Sequence, residues 1–420
     1  MYGEGDIMAN VQGKKGNSAT WIMLSMVLGV VAGALGGEAM GQIQFIGDIF
    51  FRLIQMGIVP FVMLTIAEAV GGLTARDLSG IGVKGIAWFA SSSILAALFG
   101  MFMAVVFQPG AGLATTELVQ NATTTVEATG TTWQETIVGF FGSNIVASMS
   151  AGSMVQCIVF AIALGLIISF WRTSHGGESV VYDFISELGK LLLNVIRGVM
   201  KIAPIGIFCY VSSMVGKMGL EVLLPLVKYL LVLGGAVFLF LVAWTALVCV
   251  RCKLNPIVLV RKMWPMSALA LGTISSAVTL PVEMDDAKHR IGIRSDIADL
   301  LLPLGMPLNS NGAAIHLAVT ALTIAQIYGV TFQGADFVYL AIMFTLLSLA
   351  NAVAPGADIV SLTMIVPQLG LPLASIGIFA GLTYPVGAIR TILNVDSDVY
   401  CALMVAASEK NGIDRKVFDS

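Results

Sequence analysis

Apolar residues run along this chain in long blocks, and polar residues collect between them. Six blocks come first, near residues 20–37, 43–71, 82–107, 145–171, 182–216 and 219–250. Each is long enough, and poor enough in charge, to cross the ~30 Å hydrocarbon core of a bilayer as a helix. The pattern changes after Lys253. Between 255 and 410 the apolar blocks are interrupted by Ser, Gly, Pro, Asn and Asp. Clean spans there are confined to parts of 297–328 and 373–408. The segments 259–290 and 334–371 are broken at mid-length, by "LGTISSAVTLPVEM" and "LANAVAPGAD". Non-helical backbone at membrane depth is tolerated only where protein buries it or water reaches it.

The basic residues orient these elements. Lys14 and Lys15 precede the first block, Arg76 and Lys84 lie between the second and third, and Arg172 between the fourth and fifth. Arg251, Lys253, Arg261 and Lys262 follow the sixth, and Lys410, Arg415 and Lys416 come last. All fall on one side if each of the six blocks crosses once, which predicts a multi-pass cell-membrane (plasma or inner membrane) protein with both termini cytoplasmic. The stretch 108–135 has no Lys or Arg and reads as an outer loop. Segment 259–290 starts and ends beside basic clusters, so it enters and leaves on the cytoplasmic side as a re-entrant helical hairpin. Segment 334–371 has no basic residue and is expected to enter from outside. Two hairpins from opposite sides, each followed by a broken helix, are the pattern expected of an inverted repeat.

Composition agrees. Of 420 residues 57% are hydrophobic and 11% charged, against about 25% charged in soluble domains. That excludes an ordinary soluble domain and a nucleic-acid binder. The first twenty residues are polar and Gly-rich, unlike a cleavable signal. The five cysteines lie mostly inside apolar blocks, and Cys249-x-x-Cys252 has no second pair or nearby His to make a metal site. No phosphate loop or Ser-His-Asp arrangement stands out, so an enzyme is not expected and no cofactor is implied.

Candidate chemistry sits in the second half. Arg390 lies inside the last apolar block, where a guanidinium costs several kcal/mol unless paired or hydrated. Its fork of donors suits a carboxylate. Asn394 and Asp398 follow four and eight residues on, along roughly one helix face. The stretch "LPLGMPLNSNGAAIHL" (302–317) breaks another apolar block with Pro307, Asn309, Ser310, Asn311 and Gly312. An opened turn there would free carbonyls for a hard cation such as sodium. His316 reads as a core histidine with its hydrogen bonds satisfied. Glu283, Asp285 and Asp286 read as a solvated, vestibule-facing group at the cytoplasmic end of the first hairpin.

These residues carry a resemblance. The chain resembles the dicarboxylate/amino acid:cation symporter (glutamate transporter) family over nearly its whole length. The matching stretches are "FFRLIQMGIVPFVML" (50–64), "MVQCIVFAIALGLII" (154–168), "KIAPIGIF" (201–208), "SSAVTLPV" (275–282), "LPLGxxxNxxG" (302–312), "APGA" (354–357) and "RTxxNVxxD" (390–398). The resemblance implies an all-α integral membrane protein with eight transmembrane helices, two re-entrant hairpins and inverted repeats. It also implies a homotrimer, with residues 1–250 mainly a scaffold. Residues 255–410 would then be the core of a transport domain that moves as an elevator: hairpin 259–290, broken helix 297–328, hairpin 334–371 and helix 373–408. By matching position, Ser275, Ser276, Arg390, Thr391 and Asn394 would hold a carboxylate substrate. Sodium ions would use Gly305, Asn309, Asn394 and Asp398 at one site, Ser348 to Asn351 at a second, and Asn309 and Asn311 with Ser92 and Ser93 at a third.

The departures bear on substrate and coupling. The family's Asn-Met-Asp-Gly-Thr break reads Asn309, Ser310, Asn311, Gly312, Ala313 here. One sodium site thereby loses a carboxylate, which points to fewer sodium ions or a proton in place of one. The acid that would hold a substrate ammonium is replaced by Gly387, and an acid appears instead at Asp358. The expected function is cation-coupled symport of a small carboxylate, an acidic or small amino acid held partly by Asp358. A C4-dicarboxylate or other small organic anion is the alternative. An anion channel and a non-transporting substrate sensor are further alternatives.

Overall fold

The computed structural model describes residues 24–74, 80–111, 138–220, 224–332, 334–349, 357–372 and 382–419, with Trp21, Gln134, Ser375, Ile376 and Phe379 besides. Within them the chain is almost wholly helical. The helices are α1 (24–36), α2 (Gln44–Gly71), α3 (Ile81–Phe107), α4 (Ile145–Ala151), α5 (Met154–Ser174), α6 (Val180–Met200), α7 (Ala203–Met218) and α8 (Leu224–Cys252). There follow α9 (Pro256–Thr273), α10 (Ser276–Asp285), α11 (Ser295–Leu308), α12 (Asn311–Ile327), α13 (Ala335–Leu349), α14 (Ala357–Ile365), α15 (Thr383–Ala406) and α16 (Arg415–Asp419).

The first two apolar blocks form one 48-residue helical run, Leu24–Gly71. Straight, it would measure about 72 Å, far beyond a bilayer core of ~30 Å. It is not straight. A 3-10 turn, Gly37–Ile43, separates α1 from α2 and opens at Gly37 with φ +54°, a conformation that glycine adopts without strain. Gly29 and Gly33 of α1 pack on Val211 and Val215 of α7, whereas Gly47 of α2 packs on Tyr210 and Gly206. So α1 runs along α7 in one direction and α2 returns in the other. The α6–α7 pair bends by 51° between Met200 and Ala203. Among the described residues four helical runs are long and apolar enough to cross a membrane, or five with that bent pair as one span. The protein is membrane-embedded.

Segment 259–290 folds back as the basic clusters predict. Helix α9 ends at Ile274 in the left-handed region (φ 52°), and Ser275 caps α10 by accepting the Val278 amide at 3.4 Å. The arms then run side by side, with the Met266 amide on Asp286 Oδ2 at 3.1 Å. The open end of this hairpin is tied to neighbouring chain ends. Arg415 donates to the carbonyls of Cys252 and Lys253, and Lys262 Nζ donates to the Val417 carbonyl at 2.9 Å. Ile293 pairs with Ile413 in an antiparallel bridge, flanked by Arg294 N–H to Gly412 O and Asp414 N–H to Gly292 O. Lys84, at the start of α3, meets Glu409 at 2.6 Å. The start of α3, the ends of α8 and α15 and both ends of the first hairpin therefore share one face of the molecule.

At the opposite end Gln326, near the end of α12, donates to Ala104 O at 2.9 Å and accepts from Gly110 N at 3.0 Å. The 295–327 segment thus crosses from one face to the other, through a break between Leu308 and Asn311. Both α13 and α14 pack on α12. Tyr339, Pro367 and Gln368 line one cavity of about 520 Å³ with Gly139 and Ser153, which puts both ends of the 334–371 segment at the same level. Its tip, 350–356, lies outside the described residues. Helix α12 is buried along its length, Gln326 excepted, and packs against α3, α8, α13, α14 and α15. It is the axis of the second half, and its broken start is the candidate site.

Candidate functional site

The break has a local cause. Pro303 and Pro307 sit inside α11, each removing a backbone donor from the helix ladder. Asn309 bonds Gly305 O at 2.7 Å, the ladder stops, and α12 starts one residue later with Ala314 N–H on Ser310 O at 3.0 Å. The last carbonyls of α11 then lack the amide donors of a continuing helix, and the first amides of α12 need acceptors. Asn394 of α15 supplies one: its Oδ1 takes the Gly312 N–H at 2.8 Å and lies 3.4 Å from the Ala313 N. This geometry depends on glycine. A Cβ on Gly312 would stand 2.1 Å from the Arg390 carbonyl oxygen, and one on Gly305 2.6 Å from Asp398 Oδ1.

Four side chains close around the opened turn. Asn309 Nδ2 donates to Asp398 Oδ1 at 2.8 Å, and Asn309 Oδ1 accepts from Ser92 Oγ at 3.0 Å. Ser93 Oγ donates to Asn311 Oδ1 at 2.9 Å. Cys401 Sγ lies 3.7 Å from both Ser92 Oγ and Asn309 Nδ2. Asn309, Asn311, Ser92, Ser93 and Asp398 are each no more than 1% exposed. The Asn311 amide nitrogen is buried without a hydrogen-bond partner among the described residues. The donors gathered here are a carboxylate, amide oxygens, hydroxyls and free carbonyls, the oxygen-rich set that a hard monovalent cation needs. Asp398 brings the negative charge to this set; the Asn311 side brings none.

Arg390, Asn394 and Asp398 fall on the face of α15 that meets the break, as their spacing predicts. Arg390 is 6% exposed, one helical turn before Asn394. The Thr391 hydroxyl is committed to Gly387 O at 2.7 Å. Ser275 and Ser276 stand at the tip of the first hairpin, Ser275 buried and Ser276 half-buried. Ser348 is buried near the end of α13, its hydroxyl on Thr345 O at 2.7 Å. Asn351 lies outside the described residues. Asp358 belongs to α14, but its side chain is also outside them.

Two readings change. Glu283 and Asp286 are not solvated: they are 1% and 3% exposed, because α10 packs against α15 and folds back on α9. Only Asp285, with its side chain 68% exposed and paired to His289, fits the vestibule reading. His316 is buried as expected, yet its Nδ1 has no partner among the described residues, so it is a core histidine that is not fully satisfied. Sequence reasoning also missed Cys401, which carries no signal beyond its position three residues after Asp398. The pairing of Ser92 and Ser93 with the break came through the resemblance, since two serines in an apolar helix mark nothing alone.

A family model described as the Sodium:dicarboxylate symporter family matches residues 19–408. The chain belongs to that family. Among its relatives in this symporter family is the proton/glutamate-aspartate symporter of Escherichia coli (strain K12), 30% identical over 95% of this chain and 94% of that protein. The proton/sodium-glutamate symport protein of Bacillus caldotenax is 28% identical over 92% and 93% of the two chains. The C4-dicarboxylate transport protein of Bacillus subtilis (strain 168) is 25% identical over 94% of each. Family and relatives are transport proteins rather than enzymes, and their substrates are small carboxylates.

Proposed function

We propose that this protein is a secondary-active symporter that couples import of a small carboxylate to a cation gradient. The observation that carries the reading is a buried cluster in which Asp398 accepts from Asn309 of the opened turn and Asn394 accepts from Gly312 at the start of α12, with Arg390 buried one helical turn before Asn394. It sets a fixed cation for an anionic substrate beside an oxygen-rich pocket for a coupling ion. Occupancy of either changes the field felt by the other, and that is the physical basis of coupling.

In this reading Arg390 takes a carboxylate of the substrate through its paired donors. Asn394 holds the start of α12 in place, and Ser275, Ser276 and Thr391 complete the cradle. Gly305, Asn309, Asn394 and Asp398 hold one sodium ion. Ser348 and Asn351 of the second hairpin hold another, and Asn309 and Asn311 with Ser92 and Ser93 form a third, weaker site without a carboxylate. Residues 255–410 move as a unit against a trimeric scaffold built mainly from 1–250, in a cell membrane (plasma or inner) with both chain ends cytoplasmic. The favoured substrate is an acidic or small amino acid whose ammonium meets Asp358.

Gly387, one turn before Arg390, keeps a C4-dicarboxylate as the second reading. No acid stands there for an ammonium, and a site with no ammonium partner rejects amino acids by several kcal/mol. The test is uptake by proteoliposomes of aspartate, glutamate and succinate, each under an inward sodium or proton gradient. Accumulation that collapses without the cation gradient is expected; passive, ungated flux of the anion would refute symport.

A further inference from the structure

Helix α15 carries another acid, Asp396, that the proposed mechanism leaves unused. Asp396 and Asp398 lie about 200° apart around the helix, and they meet different neighbours. Asp398 accepts from Asn309, whereas Asp396 Oδ1 accepts from Ser267 Oγ of α9 at 2.7 Å. Asp396 is 6% exposed, and its Oδ2 has no partner among the described residues.

Asp396 stands on the wall of a cavity of about 590 Å³. Helices α8 and α9 each pack closely on α15 but only lightly on one another, and the cavity is the wedge left between the three. Its walls are mostly apolar. The oxygen-bearing side chains on them are Asp396, Ser267, Thr245 and Tyr400, with the Thr245 and Tyr400 hydroxyls 2.7 Å apart. No Lys, Arg or His lines it among the described residues. Along α8 it reaches from Phe238 to Val250, a helical length of about 18 Å. Phe238, Val242, Val250, Val260 and Trp264 on its rim are each at least half exposed, so in a membrane it opens to the lipid tails.

These features select a ligand. A carboxylate buried at membrane depth needs a counter-charge, and Asp396 has only the Ser267 hydroxyl. An ammonium supplies the charge and three N–H donors in one group, for Asp396 Oδ2 and the hydroxyl oxygens of Thr245 and Tyr400. The rings of Tyr400 and Trp264 attract a cation as well. The apolar walls take a hydrocarbon tail. A phosphate on the same head would find no basic side chain to receive it, so a phospholipid headgroup does not fit. We propose that this cavity binds a single-chain amphiphilic amine, with its ammonium on Asp396 and its tail along α8. The site is separate from the substrate and sodium cluster and goes beyond the symport reading.

The test uses the full chain in phosphatidylcholine nanodiscs and a decylamine analogue with a photoreactive diazirine on its tail. Labelled peptides are mapped by mass spectrometry while decylamine or decanol competes. Saturable labelling within 238–267 is expected, displaced by decylamine at a concentration about tenfold below that of decanol, the difference that a charged hydrogen bond makes. Asp396→Asn keeps an acceptor for Ser267 and removes the charge, so decylamine should lose that advantage. Ala246→Phe fills the cavity from an exposed position on its wall and should abolish saturable labelling. Equal displacement by decanol in the wild type would mean a groove for alkyl chains only and would overturn the proposal, as would an unchanged decylamine advantage in Asp396→Asn. Were that variant not to fold, undiminished labelling of Ala246→Phe would do the same. No uptake is measured, so a failure of the symport reading leaves these outcomes as they stand.

Discussion

Gly312→Ala measures how closely α12 and α15 must approach for the site to exist. The new methyl would stand 2.1 Å from the Arg390 carbonyl oxygen, 2.8 Å from its carbon and 3.0 Å from the Arg390 Cα. All three are backbone atoms inside a helix, so no side-chain rotation relieves the clash. To reach the 3.0 Å below which real Cβ contacts are essentially never seen, the segments must separate by about 0.9 Å. That stretches the 2.8 Å bond from Gly312 N–H to Asn394 Oδ1 beyond hydrogen-bonding range. Overpacking costs about 1–3 kcal/mol and the lost bond about 1 kcal/mol, together about 2–4 kcal/mol. If the separation falls on the liganded state, the lower figure alone is roughly a 30-fold loss of affinity. Thermal melts of purified protein, with and without sodium plus aspartate or succinate, read both effects. Gly198→Ala in α6 is the control: a Cβ there meets nothing within 4 Å, and alanine favours the helix by up to about 1 kcal/mol. A Gly312→Ala protein with wild-type melting and wild-type ligand stabilisation would refute the idea that this close approach holds the site.

Arg390→Ala should abolish stabilisation by any doubly charged substrate in the same melts; aspartate or succinate binding with unchanged affinity removes Arg390 from the site. Asp398→Asn keeps the shape but removes the negative charge beside Asn309, so sodium affinity should fall at least tenfold, about 1.4 kcal/mol; an unmoved sodium titration counts against that ion site. Asp358→Asn should weaken amino acids and spare dicarboxylates. Equal effects on both classes reject its contact with an ammonium.

Much of this architecture was legible because membrane insertion forces it into local sequence. A block of apolar residues bounded by Lys and Arg has one stable disposition, and the ties among Lys84, Glu409, Arg415 and Cys252 gather the basic segments at one face. The break at 309–311 announced itself because Pro, Asn and Gly have no other reason to interrupt an apolar run. Glu283 was misread for the converse reason. An acid two residues before Asp285 at a helix end looks hydrated, and only the packing of α15 over α10 removes its water. The bridge from Ile293 to Ile413 joins residues with no shared periodicity, so no local pattern could announce it. His316 shows the same limit: burial followed from its apolar neighbours, but whether its ring nitrogens found partners depended on helices far away in the chain.

That bridge also bears on how the protein is made. Gly412 and Asp414 bond Arg294 and Gly292 across the open end of the first hairpin, and Gly412 follows Gly292 by 120 residues. At about 5–20 residues per second a ribosome needs roughly 6–24 s to supply the partner strand. During that interval the hairpin must stay in the bilayer with its mouth unfastened, exposing backbone groups that the finished protein pairs. The fastening of this loop thus depends on a segment made more than a hundred residues after it, so the hairpin's open end closes by a late, long-range contact and not by local folding.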